Sequence, residues 1–509
     1  MQWNGQLHLP LTSVCSAGWD TGIESEFLSL QYDFDTIVIG AGAAGLTAAG
    51  MSALLGAKTA LIEANRLGGD CTWAGCVPSK TLLKASRVAH TMRTAHRFGL
   101  GAITPEIPFS GVMDHLRSVR QHVYQDADAP PNMEKLGVQV VVGCAQFVDP
   151  HTVTVQTSAA SAGRLTSRYF VIATGSRPKT LPFAEACLTN ETIFELESQP
   201  RRLVVIGAGP VGVEMAQAFG RLGSEVTVVT PDTRILRRDD ADHAQLLQEC
   251  LRGEGISFRF GCRVEALRRE NGDLQAILDD GSALPCDSVL AAMGREPSVA
   301  ALQLEKAGVA FGKGGVQVNA RCQTTQKHIF AAGDVTGQYQ FTHMAEHMSK
   351  VAVTNAILRW PAKVDKEHVV WSTFTEPELA RLGDAETDAL PRGADRKVYR
   401  FPFDKLDRAI TEGETTGEVK VITTRSGRIL GASIVGANAG EMISEWALAM
   451  RSGLNIGRVA GTIHPYPTYM LGNRRAADKA SFKYLDSPLL GVLGRFRKLR
   501  GVRKGSAGL

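Results

Sequence analysis

Cysteine is scarce in this 509-residue chain: there are nine, an odd number, and only Cys71 and Cys76 lie close together. That excludes a secreted disulfide scaffold, and no cysteine spacing of metal-ligand type is present, so no resident metal is expected. Aromatic residues make up 6% of the chain, and no apolar run reaches the ~18 residues of a membrane-spanning helix without glycine interruption. An excess of one charge is missing too: 56 basic residues face 52 acidic ones, which excludes nucleic acid as the main partner of the whole molecule. No lysine or arginine precedes Lys58, so the basic start of a secretory signal and the arginines of a transit peptide are both lacking, and a cytoplasmic location is expected.

The chain does have length, at 44% hydrophobic content, and this is too much for one core and predicts several domains. Residues 1–33 show no sustained period and read as an N-terminal extension. The apolar run Thr36–Ile39 then reads as a buried parallel strand, followed by Gly40, Gly42 and Gly45 and a small-residue helix to about Leu55. A second strand, Thr59–Ile62, ends at Glu63, 18 residues beyond Gly45, where an acid that binds a ribose is expected. The pattern recurs with Leu203–Ile206, then Gly207, Gly209 and Gly212, a helix to about Leu222, and the strand Glu225–Val229. One such glycine fingerprint is a weak signal; two in βαβ context predict two dinucleotide sites, each with a phosphate on a helix N-terminus. In the second unit Thr230 replaces the acid, with Arg234, Arg237 and Arg238 following, which favours NADPH over NADH as the nicotinamide cofactor. Further on, Ile329–Asp334 reads as a strand ending in Gly-Asp, a helix begins near Thr342, and from about Val364 longer strands and an amphipathic helix near Glu441–Ser452 predict a separate α+β domain.

The most specific stretch is Gly68-Gly-Asp-Cys71-Thr-Trp-Ala-Gly-Cys76-Val-Pro-Ser-Lys80, at the end of the first dinucleotide unit. It resembles the redox-active disulfide motif of the class I pyridine nucleotide-disulfide oxidoreductases, the family of dihydrolipoamide dehydrogenase, glutathione reductase and mercuric reductase. The resemblance runs from about Asp35 to Ser481 and includes Ala173–Pro178, Gly294–Pro297, Ala331–Asp334 and Phe374–Pro377. It implies an α/β fold of two Rossmann-like domains plus a C-terminal α+β dimerisation domain, forming a homodimer. An FAD domain over 34–200 and 317–363, an NAD(P) domain over 201–316, a dimerisation domain over 364–485 and a basic tail over 486–509 are expected. By the same resemblance the first unit holds FAD, with Glu63 on the adenosine ribose and Asp334 on the ribityl chain, while Gly69, Ala145, Thr174, Gly175 and Gly294 join the cofactor-binding set. Thr342 opens a helix aimed at the flavin pyrimidine, Lys80 and Glu214 form an ion pair beside the ring, Cys76 is the flavin-proximal sulfur and Cys71 the interchange thiol. Helix-start amides and Lys80 are expected to lower the thiol pKa in this region.

One departure bears on the acceptor. Where relatives that act on organic dithiols carry a His-Pro-Thr motif and a downstream Glu, this chain reads His464-Pro-Tyr466-Pro-Thr468-Tyr-Met-Leu471. Tyr466 replaces the acid/base His and Leu471 its Glu, which resembles mercuric reductases; His464, two residues early, reads as structural. No C-terminal cysteine pair for Hg(II) delivery is present, and residues 1–33 contain only Cys15. The reading is an NAD(P)H-dependent, mercuric reductase-like flavoprotein with a disulfide or Hg(II) acceptor. Its alternatives are a dihydrolipoamide dehydrogenase or glutathione reductase type without the usual dyad and, from another class, a low-turnover redox-sensing or membrane-associated partner. The last draws on the tail, where Arg495, Arg497, Lys498, Arg500, Arg503 and Lys504 accompany apolar residues at helical spacing across 489–509.

Overall fold

The structure is a computed structural model that describes residues 32–157, 163–183, 186–270, 272–387 and 395–485, together with Arg497. The N-terminal extension before Tyr32, and the tail reading apart from Arg497, lie outside the described residues.

The first dinucleotide unit builds a parallel sheet in the spatial order Val138–Val142, Thr59–Glu63, Phe34–Ile39, Gly163–Ile172, with Ile329–Ala331 added beside the last. Register pairs Ile37 with Ala60 on one side and Phe170 on the other, and Phe170 in turn with Ile329. Such strands are apolar on both faces because both are covered. Val38, Leu61 and Val171 pack with helices Ala43–Leu54 and Thr342–Ala356, whereas Ile37, Ile39, Ile62 and Phe170 pack with Phe147 and Val153 of the antiparallel flap Cys144–Asp149 and Thr152–Gln156.

The second unit repeats the plan in the order Ser257–Phe260, Glu225–Thr230, Arg202–Ile206, Ser288–Ala291, all parallel. Leu203, Val205 and Val228 face one core; Val204, Ile206 and Val229 face the other. The helix Pro210–Leu222 starts with proline, whose missing N–H has no intrahelical partner to lose, and ends at Gly223 with φ 113°. Its core is shared with Leu82 and Leu83 of the helix Cys76–Thr94 and with Leu379 and Val435 of the C-terminal region, so the helix that begins at Cys76 is clamped by all three parts of the molecule.

The C-terminal region is a five-stranded antiparallel sheet in the order Val370–Thr373, Glu378–Gly383, Ile429–Gly436, Glu418–Thr424, Arg396–Pro402. Helices Ala439–Arg451 and Leu471–Leu485 cover it around the fully buried Trp446 and Phe403. The first of these starts two residues before the expected Glu441, because Asn438 takes the left-handed turn (φ 60°) that launches it. No helix among the described residues is long and apolar enough to cross a membrane.

Candidate active site

The redox loop is built on backbone that only glycine adopts easily. Gly68 and Gly69 have φ of 99° and 59°, turning the chain into the short helix Gly69–Trp73 and then, through Gly75, into the 19-residue helix that Cys76 opens. Trp73, between the cysteines, is gripped by Arg66 at 3.7 Å and Arg120 at 5.4 Å from its ring, and its indole N–H donates to Leu67 O at 2.7 Å. The two sulfurs stand as a dithiol. Cys76 Sγ lies 3.5 Å from Thr342 Oγ1, the first residue of the helix Thr342–Ala356.

The thiols divide the proton unequally. A hydrogen bond from the Cys71 thiol pulls Cys76 down to about 6, with Thr342 and Lys80 helping and burial opposing. The same hydrogen bond, with burial, pushes Cys71 well above the ordinary thiol range. The expected lowering of the thiol pKa in this region falls on Cys76 and not on Cys71, because two thiols in hydrogen-bond contact share one proton and the donor must keep it.

Lys80, one turn beyond Cys76, reaches Glu214 Oε2 at 2.7 Å. Glu214 is buried on the helix Pro210–Leu222, and its other oxygen accepts from the backbone N–H of Phe374 at 2.9 Å. Lys80 Nζ also lies 4.4 Å from the Phe374 ring centre. This ion pair thus joins the redox helix, the second dinucleotide unit and the start of the C-terminal sheet.

The first glycine turn fits a pyrophosphate. Gly40 has φ 99°, and a Cβ on Gly45 would come within 1.7 Å of Gly40 O, so helix and turn meet as closely as backbone allows. Around Gly42 a Cβ would meet only Gly69 Cα, at 3.8 Å, leaving an open approach at the helix start. Glu63 ends its strand beside this turn and accepts from Ala41 N at 2.7 Å. Ala145 lies buried on the flap strand, and Thr174 Oγ1 donates to Ser298 O at 2.7 Å beside Gly175 (φ 67°). Asp334 accepts from Ser176 Oγ at 2.6 Å, and its carboxyl is raised by burial. This donor set of open amides, strand-end carboxylates and a 15-residue helix start is what an FAD needs.

At the second turn Gly207 has φ 109°, a Cβ on Gly212 would fall 2.0 Å from Gly207 O, and around Gly209 a Cβ would meet nothing within 4 Å, so this site also fits a dinucleotide. Thr230 is buried at its strand end and accepts from Asp232 N at 3.3 Å. Arg234 spends its guanidinium on the carbonyls of Ile235, Leu236, Arg237 and Asp239. Arg237 instead is 77% exposed and pairs with Asp232 Oδ1 at 3.4 Å. Gly294 (φ 102°) takes Lys179 N on its carbonyl at 3.1 Å.

Tyr466 is 69% exposed; Asp407 beside its hydroxyl raises it above the ordinary phenol value. Nearby, His464 is buried with both ring nitrogens engaged, by Glu445 Oε1 at 2.7 Å and Thr462 O at 3.0 Å. Glu445 went unnoticed in the sequence because it sits on the helix Ala439–Arg451, 19 residues before His464 in its loop.

A family model described as pyridine nucleotide-disulphide oxidoreductase matches residues 34–349. The chain belongs to this family. The family's dimerisation domain matches residues 369–474. The chain is 34% identical to a mercuric reductase from Lysinibacillus sphaericus over 90% of this chain and 84% of that protein. It is 35% identical to a dihydrolipoyl dehydrogenase from Thermus scotoductus over 87% and 97% of the two chains. Among solved structures, the Cu(II) complex of the HOCl-induced flavoprotein disulfide reductase RclA from Escherichia coli superposes with a TM-score of 0.79 at 27% identity, covering 87% of this chain and 99% of that one. The protein is an FAD-containing, NAD(P)H-dependent disulfide oxidoreductase with a dimerisation domain.

Proposed function

We propose that the protein is a mercuric reductase-like homodimer that passes electrons from NADPH to the Cys71–Cys76 pair and on to a thiophilic metal ion, Hg(II) first. Bound FAD supplies the hydride acceptor and two-electron relay between nicotinamide and disulfide. The chain supplies position and charge. Gly40, Gly42, Gly45 and Gly69 would hold the FAD pyrophosphate, Glu63 the ribose, Asp334 the ribityl chain, and Ala145, Thr174 and Gly175 the remaining contacts. Lys80, fixed by Glu214, and the amides that open the helix at Thr342 would favour negative charge beside the ring. Gly207, Gly209, Gly212, Thr230 and Gly294 would take the nicotinamide cofactor, with Arg237 on its 2′-phosphate.

The observation that carries the metal reading is a thiolate at Cys76 paired with a thiol at Cys71, with Tyr466 and Leu471 where relatives acting on dithiols use a His–Glu acid/base dyad. An organic dithiol leaving group needs rapid protonation, which a phenol held above its ordinary value and a leucine supply poorly. A soft metal ion needs only two thiolates and two electrons: Hg(II) and NADPH give Hg(0), NADP+ and one proton. The Cu(II) bound by the RclA structure extends the reading to copper as a second metal acceptor, two Cu(II) and one NADPH giving two Cu(I), NADP+ and one proton.

The test is steady-state reduction of Hg(II), Cu(II), lipoamide and oxidised glutathione by the FAD-loaded enzyme with NADPH, with Cys71→Ser and Cys76→Ser as controls. Turnover on a metal ion that is lost in both variants supports the proposal. Lipoamide or glutathione turnover equal to or above the metal rate overturns it.

A further inference from the structure

Asp70 stands immediately before the first cysteine, and its charge has no part in the chemistry above. Its Oδ1 accepts from Asn190 Nδ2 at 2.8 Å and from Arg295 Nη2 at 3.1 Å. Asn190 also donates to Ala74 O at 3.1 Å and accepts from Arg295 Nη1 at 3.0 Å, closing the ring of contacts. The Asp70 carbonyl takes the Ala74 N–H at 2.8 Å, and a Cβ on Gly75 would meet Asp70 Oδ2 at 3.0 Å. One carboxylate therefore reaches from the residue before Cys71 to the residue before Cys76. Its tethers come from segments 120 and 225 residues away. Arg295 goes on to Ser176 Oγ at 2.7 Å and Ser176 O at 2.8 Å, and Ser176 donates to Asp334, so the same guanidinium links the redox loop to the proposed ribityl contact.

We propose that Asp70 is a positioning residue that holds the Cys71–Cys76 loop and, by fixing a negative charge beside Cys76, makes the reduced pair a stronger reductant, with Arg295 setting how much of that charge is felt. This rests on the reading of Cys71 and Cys76 as the redox pair. A nearby carboxylate costs energy when Cys76 is a thiolate and almost none when the sulfurs form a neutral disulfide, so it biases the couple towards the disulfide. Asp70 does act against the Cys76 thiolate. The other groups that face Cys76 are the Cys71 thiol, Lys80 with Glu214 behind it, and the Thr342 hydroxyl; His343, next to Thr342, turns instead to Val370 O at 2.8 Å.

The experiment equilibrates the FAD-loaded enzyme anaerobically in graded glutathione buffers, where dithiol plus oxidised glutathione gives disulfide plus two glutathione thiols, and scores the pair by thiol labelling. In parallel, the long-wavelength absorbance of the thiolate against bound flavin is titrated with pH. Asp70→Asn is expected to shift the glutathione equilibrium towards the dithiol by about threefold or more, and to lower the pH at which the thiolate forms. Arg295→Gln, which leaves Asp70 without its guanidinium, is expected to move both readings the opposite way. Where Asp70→Asn does not retain FAD, Asp70→Ser is read in its place. Unmoved readings in the Asp70 variant, or shifts of the same sign in the Asp70 and Arg295 variants, overturn the proposal. Cys76→Ser separates the two levels: if the band survives that change, the redox-pair reading itself fails; if it vanishes there while Asp70→Asn moves nothing, only the role of Asp70 fails.

Discussion

Replacing Lys80 with methionine removes a side-chain cation that acts on Cys76, and the consequences can be worked from the geometry. Positions 76 and 80 lie one turn apart on the helix Cys76–Thr94, so the side chains start about 6 Å from one another. At that range a cation partly neutralised by Glu214 and partly in water favours a thiolate by about 1 to 1.5 kcal/mol, or about one pH unit. The Cys76 thiolate, formed at about 6, should then form near neutrality, still below the usual thiol range because the Cys71 hydrogen bond and Thr342 remain. The sign is fixed: a lost cation moves the titration up. Stability should fall as well. The Glu214 side chain is only 5% exposed, and stripping a buried carboxylate of its partner costs about 3–5 kcal/mol at full burial. Lys80 is 37% exposed and Phe374 N–H stays in place, so about 2 kcal/mol is the expected loss. Anaerobic pH titration of the thiolate in the dithiol enzyme gives the first quantity and urea unfolding the second, with Lys80→Arg restoring the charge. A variant that loses stability while its thiolate titrates at the wild-type pH would refute the electrostatic role and leave Lys80 a strut.

Arg221, with a side chain 5% exposed between Glu254 and Glu376, ties the second dinucleotide unit to the C-terminal region; Arg221→Leu should cost about 3–5 kcal/mol in chemical denaturation, and a loss under 1 kcal/mol would show that the carboxylates find other partners. Arg237→Ala should raise the KM for NADPH about tenfold and leave that for NADH unchanged, since only the 2′-phosphate loses a charged contact; equal changes for both cofactors would remove Arg237 from the site. Burial pushes the Asp239 carboxyl up to about 6, while Trp371 Nε1 donates to it at 2.8 Å. Because the folded form then holds a proton the unfolded chain has already released, stability should decline by up to about 2 kcal/mol as pH rises from 4 to 6. Asp239→Asn should flatten that slope in thermal melts taken across the interval, and an unchanged slope would assign it elsewhere.

What could be read from the chain in advance was what repeats locally. Alternate residues of Thr36–Ile39 and Leu203–Ile206 divide between two cores in each sheet, and the glycines that follow leave no room for a Cβ where backbone meets backbone; both are consequences of residues within a few positions of one another. Contacts between distant segments leave no such trace. Glu214, following Gly212 and Val213, looks by itself like any helix-surface acid; only the family resemblance pairs it with Lys80, 134 residues away, and Phe374, 160 residues away, is its unannounced second partner. His464 and Glu445 each look ordinary, and Asp70, although visible inside the motif, shows its tethers only when Asn190 and Arg295 fold against it.

The thiols show a second kind of limit. Helix-start amides and a nearby lysine argue for lowering any cysteine in the loop, and each argument holds for a single sulfur. Two sulfurs in hydrogen-bond contact are one acid–base unit, and stabilising the thiolate on one requires the proton to remain on the other. Cys76, at the start of its helix with Thr342 and Lys80 beside it, takes the negative charge; Cys71, half-buried, keeps the proton. The asymmetry follows first from the hydrogen bond between the two sulfurs, with Thr342 touching both and Lys80 favouring Cys76, so it is a property of the folded arrangement and not of the spacing between the cysteines.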